Sequence, residues 1–326
     1  MLDLHLDDIT EWVRLRKLSS VAVQLPEGLK IRATEIADHL SSKADVSVII
    51  LGDPCYGACD LNINYKKVAE GLVHIGHSPM PSLTQDDNIL FIERLSHTEI
   101  REGMAKIADL LPERIGLLST VQYVSTFSDA KEVLESFGKK VFIGNGDGRI
   151  KYAGQVLGCN CSAATAIADR VDCFLYIGEG EFHPLAAAFG VGKEIMVFDP
   201  LTYELRSVNE TRDRLLRRRF AMIESAKEAA SFLIIVSSKV GQRRDAVADD
   251  LIKKITSKGK KAYKVMIEEI NPDALLAYRV DAYISTACPR LAMDDSVRYG
   301  KPMLTPPEAE AALGMREWDN YVFDSI

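Results

Sequence analysis

The chain has 326 residues, 47% of them hydrophobic, and a formal net charge of −7. Such a length exceeds one ordinary core and points to two or three domains, and the acidic balance argues against direct nucleic-acid binding, which needs a basic face for phosphate. No apolar run reaches membrane-spanning length, and Met1 to Trp12, with Asp3, Asp7, Asp8 and Glu11, lacks the basic and apolar regions of a signal peptide, so a cytoplasmic protein is expected.

Helices and strands follow a plan that recurs three times. The first round predicts a helix over Asp7–Arg16, the strand Val21–Leu25 and the loop Pro26-Glu27-Gly28. Ile31, Ile36 and Leu40 then recur at helical spacing. Val46–Leu51 reads as a buried parallel strand, Asn62–Glu70 as a short helix, and Leu72–Gly76 and Ile89–Ile92 as strands.

The second round predicts a helix over Thr98–Leu111, the strand Ile115–Ser119, the loop Thr120–Tyr123 and a helix over Ser128–Phe137 stopped by Gly138. The strand Lys140–Ile143, the helix Ala163–Asp169 and the strands Cys173–Ile177 and Glu194–Phe198 follow. The third round runs through a helix over Glu210–Ala230, the strand Phe232–Val236, the loop Ser237–Gln242 and a helix over Arg244–Ser257 stopped by Gly259. Its remaining strands are Ala262–Ile267, Ala282–Thr286 and Pro302–Leu304. Strands alternating with helices imply α/β units with parallel sheets and right-handed crossovers. Three homologous α/β domains are expected, over 1–97, 98–207 and 208–326, each with a roughly four-stranded sheet.

Six cysteines in a chain of this kind read as thiols or metal ligands rather than a disulfide framework. Cys59 falls in the loop after the second strand of the first unit. Cys159 precedes the matching helix of the second, and Cys288 follows the third strand of the third. Strand ends and helix N-termini favour thiolates. If the units pack about a pseudo-threefold axis with these ends inward, the three thiolates converge. Three ligands on a 4Fe-4S cluster leave one iron open. Cys173 opens an apolar strand and reads as core. Cys55 and Cys161 neighbour the candidate ligands. A structural zinc site from Cys55, Cys59, Cys159 and Cys161 is the alternative, but it lacks Cys-x-x-Cys pairs and leaves Cys288 unexplained.

Several segments together resemble the diphthamide biosynthesis radical enzymes of the archaeal type: Leu25-Pro26-Glu27-Gly28-Leu29-Lys30, Asp53-Pro54-Cys55-Tyr56-Gly57-Ala58-Cys59-Asp60, Gly154-Gln155-Val156-Leu157-Gly158-Cys159, Ser285-Thr286-Ala287-Cys288-Pro289-Arg290 and Pro302-Met303-Leu304-Thr305-Pro306-Pro307-Glu308. The likeness spans essentially the whole chain in order. It implies three homologous domains that each donate one cysteine, Cys59, Cys159 and Cys288, to a 4Fe-4S cluster. It also implies a transferase in which S-adenosylmethionine meets the open iron and its sulfonium–Cγ bond is cleaved by one electron. The 3-amino-3-carboxypropyl radical would then add to a histidine of translation elongation factor 2, leaving methylthioadenosine. An electron donor and a homodimer belong to the same expectation.

Other polar residues fit this centre or an ordinary loop equally well. Gln24, Gln122 and Gln242 hold related strand-end positions, with Glu27 and Gly28 beside the first, and are candidates to line the cofactor pocket. Arg290, two residues after Cys288, is the candidate to grip the methionine carboxylate with its two-pronged guanidinium. Glu179, Glu181, His183, His74 and His77 follow or close third strands. Arg212, Arg214, Arg217, Arg218 and Arg219 read as a solvated or subunit-contacting helix face. A quinolinate synthase-like iron–sulfur enzyme explains the repeat but not these motifs. A zinc-bound, non-enzymatic scaffold predicts a colourless protein.

Overall fold

Three sheets share one strand order in a computed structural model that describes residues 4–326 apart from Gln85, Asp295, Asp319 and Asn320. Asp3 of the amino-terminal reading lies outside the described residues. The first sheet is built from α1 (Leu6–Leu15), β1 (Ser20–Gln24), α2 (Ala33–Ala44), β2 (Ser47–Ile50), β3 (Gly71–Ile75) and β4 (Ile89–Ile92), ordered β2-β1-β3-β4. The second contains α3 (Arg101–Ile107), β5 (Arg114–Ser119), α4 (Phe127–Ser136), β6 (Lys140–Phe142), α5 (Ser162–Thr165), β7 (Cys173–Ile177), α6 (Phe182–Val191), β8 (Glu194–Phe198) and β9 (Leu205–Ser207). The third contains α7 (Asn209–Lys227), β10 (Ser231–Ser237), α8 (Asp245–Ser257), β11 (Lys261–Ile267), α9 (Pro272–Leu276), β12 (Ala282–Ser285), α10 (Arg290–Met293), β13 (Met303–Leu304) and α11 (Pro306–Ala312). Their orders, β6-β5-β7-β8-β9 and β11-β10-β12-β13, repeat that of the first, and β9 adds the one antiparallel pairing among the described strands.

The repeat follows from which strands are apolar throughout. The central strands β3 and β7 are buried along their whole length, as parallel strands covered on both faces must be. Helices cover the sheets with single apolar faces: Ala33, Ile36 and Leu40 on α2 over the first, and Ala248, Leu251 and Ile255 on α8 over the third. Each fully buried Ile or Leu contributes about 1.5–3 kcal/mol. Gly138 and Gly259 end α4 and α8 with φ of 76° and 72°, a conformation other residues adopt only with strain.

Several expectations change. The helix expected over Asn62–Glu70 is only a 3-10 helix over Ile63–Lys67, and the one over Ala163–Asp169 is the short α5. The strand after α2 is not buried: β2 is the sheet edge, with Ser47 and Ile50 exposed, because β1 takes the centre. Arg219 is not on a solvated face. It is fully buried, donating to Glu308 at 2.8 and 2.6 Å and to the carbonyls of Ala292 and Met303 at 2.6 Å each. Those partners lie 73 to 89 positions away, so the helix pattern holds no sign of them.

The described residues separate into two compact units, 1–96 with 239–241, and 97–238 with 242–326. The first holds one sheet and the second holds two. In an open parallel sheet, ligands gather beyond the strand C-termini where the order reverses. In the first sheet that point lies between β1 and β3, where Gln24 stands opposite His74.

Candidate metal centre

In the larger unit, Cys159 and Cys288 hang from one hydrogen-bonded clamp. Arg244, just before α8, donates to the carbonyls of Thr286 at 2.7 Å and Ala287 at 3.2 Å, the two residues ahead of Cys288. The same guanidinium pairs with both carboxylate oxygens of Asp324. The chain then runs to Ile326, whose N–H donates to the Cys159 carbonyl at 2.8 Å, with the Ser325 hydroxyl at 3.3 Å. Asn160 completes the strap by donating to the Ile326 carbonyl and to Asp147, at 2.8 Å each. Gly158 and Arg290, beside the two cysteines, line one small cavity with Phe182, Met293, Asp294 and Phe323.

Burial raises the Cys159 thiol pKa, and the Arg149 and Arg244 guanidinium groups oppose that rise. The expected help from a helix N-terminus is weak here, since α5 and α10 have four residues each and the macrodipole needs length. Nearby cations, rather than helices, favour the thiolate. Cys161 points elsewhere. It is buried in the apolar cluster of α5, α6 and β7, so close to α6 that a Cβ on Gly190 would lie 2.2 Å from its sulfur. Cys173 is buried at the start of β7, as expected.

In the smaller unit, Cys59 sits in a single turn over Ala58–Asp60 that Asp60 organises. The Asp60 carboxylate accepts from the Tyr56 N–H at 2.7 Å and pairs with Lys239 at 3.5 Å. Its carbonyl accepts from the Gln24 amide at 2.8 Å. Gly241 packs directly on Cys59, where any Cβ would come within 2.5 Å of the Cys59 Cα. Lys30 holds the start of this loop through the carbonyls of Gly52 at 2.9 Å and Asp53 at 3.1 Å. The Cys55 sulfur donates to the Gly57 carbonyl at 3.7 Å and lies within 4.8 Å of ring nitrogens of His74 and His77.

Comparison with known proteins gives these features a family. The model of the diphthamide synthesis protein family matches residues 25–322. The chain belongs to that family. It is 37% identical over 311 residues to a 2-(3-amino-3-carboxypropyl)histidine synthase of Pyrococcus horikoshii, covering 94% of this chain and 88% of that protein. It is 30% identical to 2-(3-amino-3-carboxypropyl)histidine synthase subunit 1 of Caenorhabditis elegans, over 93% of this chain and 78% of the relative. A crystal structure of Dph2 from Pyrococcus horikoshii with a 4Fe-4S cluster superposes with a TM-score of 0.93 at 35% identity, covering 100% of this chain and 95% of that one.

The residues of this diphthamide-family chain suit an anionic iron–sulfur group. Cys59, in its short turn, and Cys159 and Cys288, between secondary-structure elements, are in no disulfide, and two guanidinium groups stand by Cys159. The other candidates are placed as follows. Gln24 is buried and already engaged, so it orders the Cys59 loop. Gln122 is half-buried after β5, and Gln242 is buried after β10. Glu27 is exposed and paired with Lys30 at 2.5 Å, and open space surrounds Gly28. Arg290 is exposed, pairs with Asp294 at 2.6 Å and lies 3.1 Å above the Phe182 ring. Glu179 accepts from the Tyr123 hydroxyl at 2.6 Å, and Glu181 pairs with Arg206 at 3.5 Å. His183 packs edge-on against Phe182. Arg149, Arg244 and Asp324 were not legible as site residues, because no local motif marks an ion pair spanning 80 positions.

Proposed function

We propose that the chain is a 2-(3-amino-3-carboxypropyl)histidine synthase whose 4Fe-4S cluster is held by Cys59, Cys159 and Cys288. The clamp through Arg244 and Asp324, which fastens the Cys159 and Cys288 loops together, carries this reading. S-adenosylmethionine is the donor and a histidine of translation elongation factor 2 the acceptor, with methylthioadenosine as coproduct. A cluster with three thiolate ligands supplies an open iron and the electron that cleaves the sulfonium–Cγ bond.

The protein's part is position and electrostatics. Arg149 and Arg244 balance thiolate charge at Cys159. Arg290, its backbone tied to Cys288 through Pro289, is the group for the donor carboxylate, and exchanging Asp294 for that carboxylate keeps its guanidinium paired. Glu27, Gly28, Gln122 and Gln242 are the remaining candidates for donor contacts, while Gln24 serves them by holding the Cys59 loop. A cytoplasmic homodimer served by a separate electron donor completes the reading. No helix among the described residues is long and apolar enough to cross a membrane.

Anaerobic reconstitution, with iron and sulfide analysis and assay of methylthioadenosine, tests the proposal. Cys59→Ala, Cys159→Ala and Cys288→Ala each lose the cluster, while Cys161→Ala and Cys173→Ala keep it. Arg290→Lys keeps iron but reacts about tenfold to a hundredfold more slowly, the loss expected for one charged hydrogen bond. A colourless wild type without iron, or full iron in any of the first three variants, overturns the assignment. Quinolinate formation in place of methylthioadenosine would favour the other iron–sulfur reading.

A further inference from the structure

Cys55, His74 and His77 offer ligand atoms that all lie within 4.8 Å of one another. They come from three places on the first sheet: the loop after β2, the body of β3, and the turn beyond it. Gly76, with φ of 101°, makes that turn and brings the His77 ring back beside the His74 ring, 5.2 Å between centroids. Cys55 and His74 are buried, and His77 is half-buried.

Hydrogen bonds decide which nitrogen of His74 is free. Gln24 donates through Nε2 to the Asp60 carbonyl, and its Oε1 accepts from the Asn62 N–H at 3.2 Å. The amide orientation is therefore set, with oxygen toward His74. His74 Nδ1, 3.0 Å from that oxygen, must carry the proton. Its Nε2 then presents a lone pair, 3.0 Å from His77 Nδ1. An imidazole oriented by an acceptor on its other nitrogen is the usual arrangement of a metal-bound histidine.

We propose that Cys55, His74 and His77 bind one transition-metal ion of the Zn2+ or Co2+ class, using none of the three cysteines assigned to the cluster. A thiolate with two imidazoles suits such borderline ions. In a tetrahedral zinc site the donor atoms stand about 3.3–3.7 Å apart, so small side-chain rotations suffice. These three residues leave a fourth position for water or another donor. Without metal, His77 Nδ1–H donates to His74 Nε2. On binding, that proton moves to His77 Nε2, and the Cys55 thiol releases one proton to solvent, with no change of oxidation state. Burial keeps both imidazoles neutral and pushes the Cys55 thiol up to about 12, so the thiolate forms only with the cation.

The test uses full-length chain carrying Cys59→Ala, Cys159→Ala and Cys288→Ala, stripped of metal, reduced and titrated anaerobically with Co2+. One equivalent should bind, with a thiolate-to-cobalt charge-transfer band and the intense visible bands of four-coordinate cobalt. Adding Cys55→Ser should remove the charge-transfer band. Gln24→Leu, which takes away the acceptor that orients His74, should weaken binding about 10–100-fold. The intact protein supplies a second reading by elemental analysis. There, Cys55→Ser and His77→Gln should lose zinc and keep iron. No cobalt binding, or a charge-transfer band that survives Cys55→Ser, overturns the proposal. Either result leaves the cluster assignment untouched, since the titrated protein has no cluster ligands.

Discussion

Arg244 and Asp324, 80 positions apart, form a two-point ion pair at 2.8 and 2.7 Å that ties the loop of Cys288 to the loop of Cys159. Both side chains are largely withdrawn from water, and a guanidinium fork on a carboxylate fixes direction as well as distance. Two thiol-bearing loops of different sheets thereby share one support.

Loosening that support should cost cluster retention before it costs the fold. Asp324→Asn keeps the shape and removes the charge, a loss of about 1.5–3 kcal/mol in a charged hydrogen-bonded pair. Reconstituted protein should lose iron to a chelator faster than wild type, with unchanged far-ultraviolet circular dichroism. Equal rates of iron loss would show that the clamp does not hold the cysteines.

The pair of Arg219 and Glu308 plays a purely structural part, fully buried and capped by the carbonyls of Ala292 and Met303. Removing one partner strands the other charge, which costs about 3–5 kcal/mol. Denaturant unfolding of Arg219→Met should show a loss of that order, and Arg219→Met with Glu308→Met should recover part of it. A loss below about 1 kcal/mol in the single variant would mean that water reaches the pair.

Gly190 and Cys161 should be coupled. Gly190→Ala gains helix propensity, yet its new methyl meets the Cys161 sulfur, and overpacking costs about 1–3 kcal/mol. Thermal unfolding should show Gly190→Ala destabilised and Gly190→Ala with Cys161→Ala restored, both retaining iron. Additive effects of the two changes would place the Cys161 side chain elsewhere.

The histidine pair predicts an acid limb in stability. In metal-free chain burial holds His74 down to about 3 and His77 to about 4, against an ordinary 6.5. Below pH 6.5 the unfolded chain therefore binds more protons than the folded one, so stability falls as pH falls. The two groups together approach a slope of about 2.7 kcal/mol per pH unit, ending near pH 4 where the folded His77 titrates. Urea unfolding at several pH values, for wild type and His77→Gln, checks this, with the slope roughly halved in the variant. Identical slopes would remove His77 from the effect.

Local pattern alone determined most of the strand and helix sequence, the threefold recurrence, the family motifs and the burial of Cys173. Those features repeat at short periods or sit in contiguous runs, where neighbouring side chains must share a face. Tertiary structure decided the rest. A strand's place at centre or edge depends on which partner it pairs with, so β2 lies at the edge despite its apolar run. Whether an arginine is solvated depends on distant carbonyls and carboxylates, so Arg219 is core while Arg214 on the same helix is exposed. The paired thiols part for the same reason. Cys161 faces the apolar layer under α6, and Cys55 faces two histidines brought beside it by β3. Such contacts join residues tens of positions apart, and chain order carries no record of distance in space.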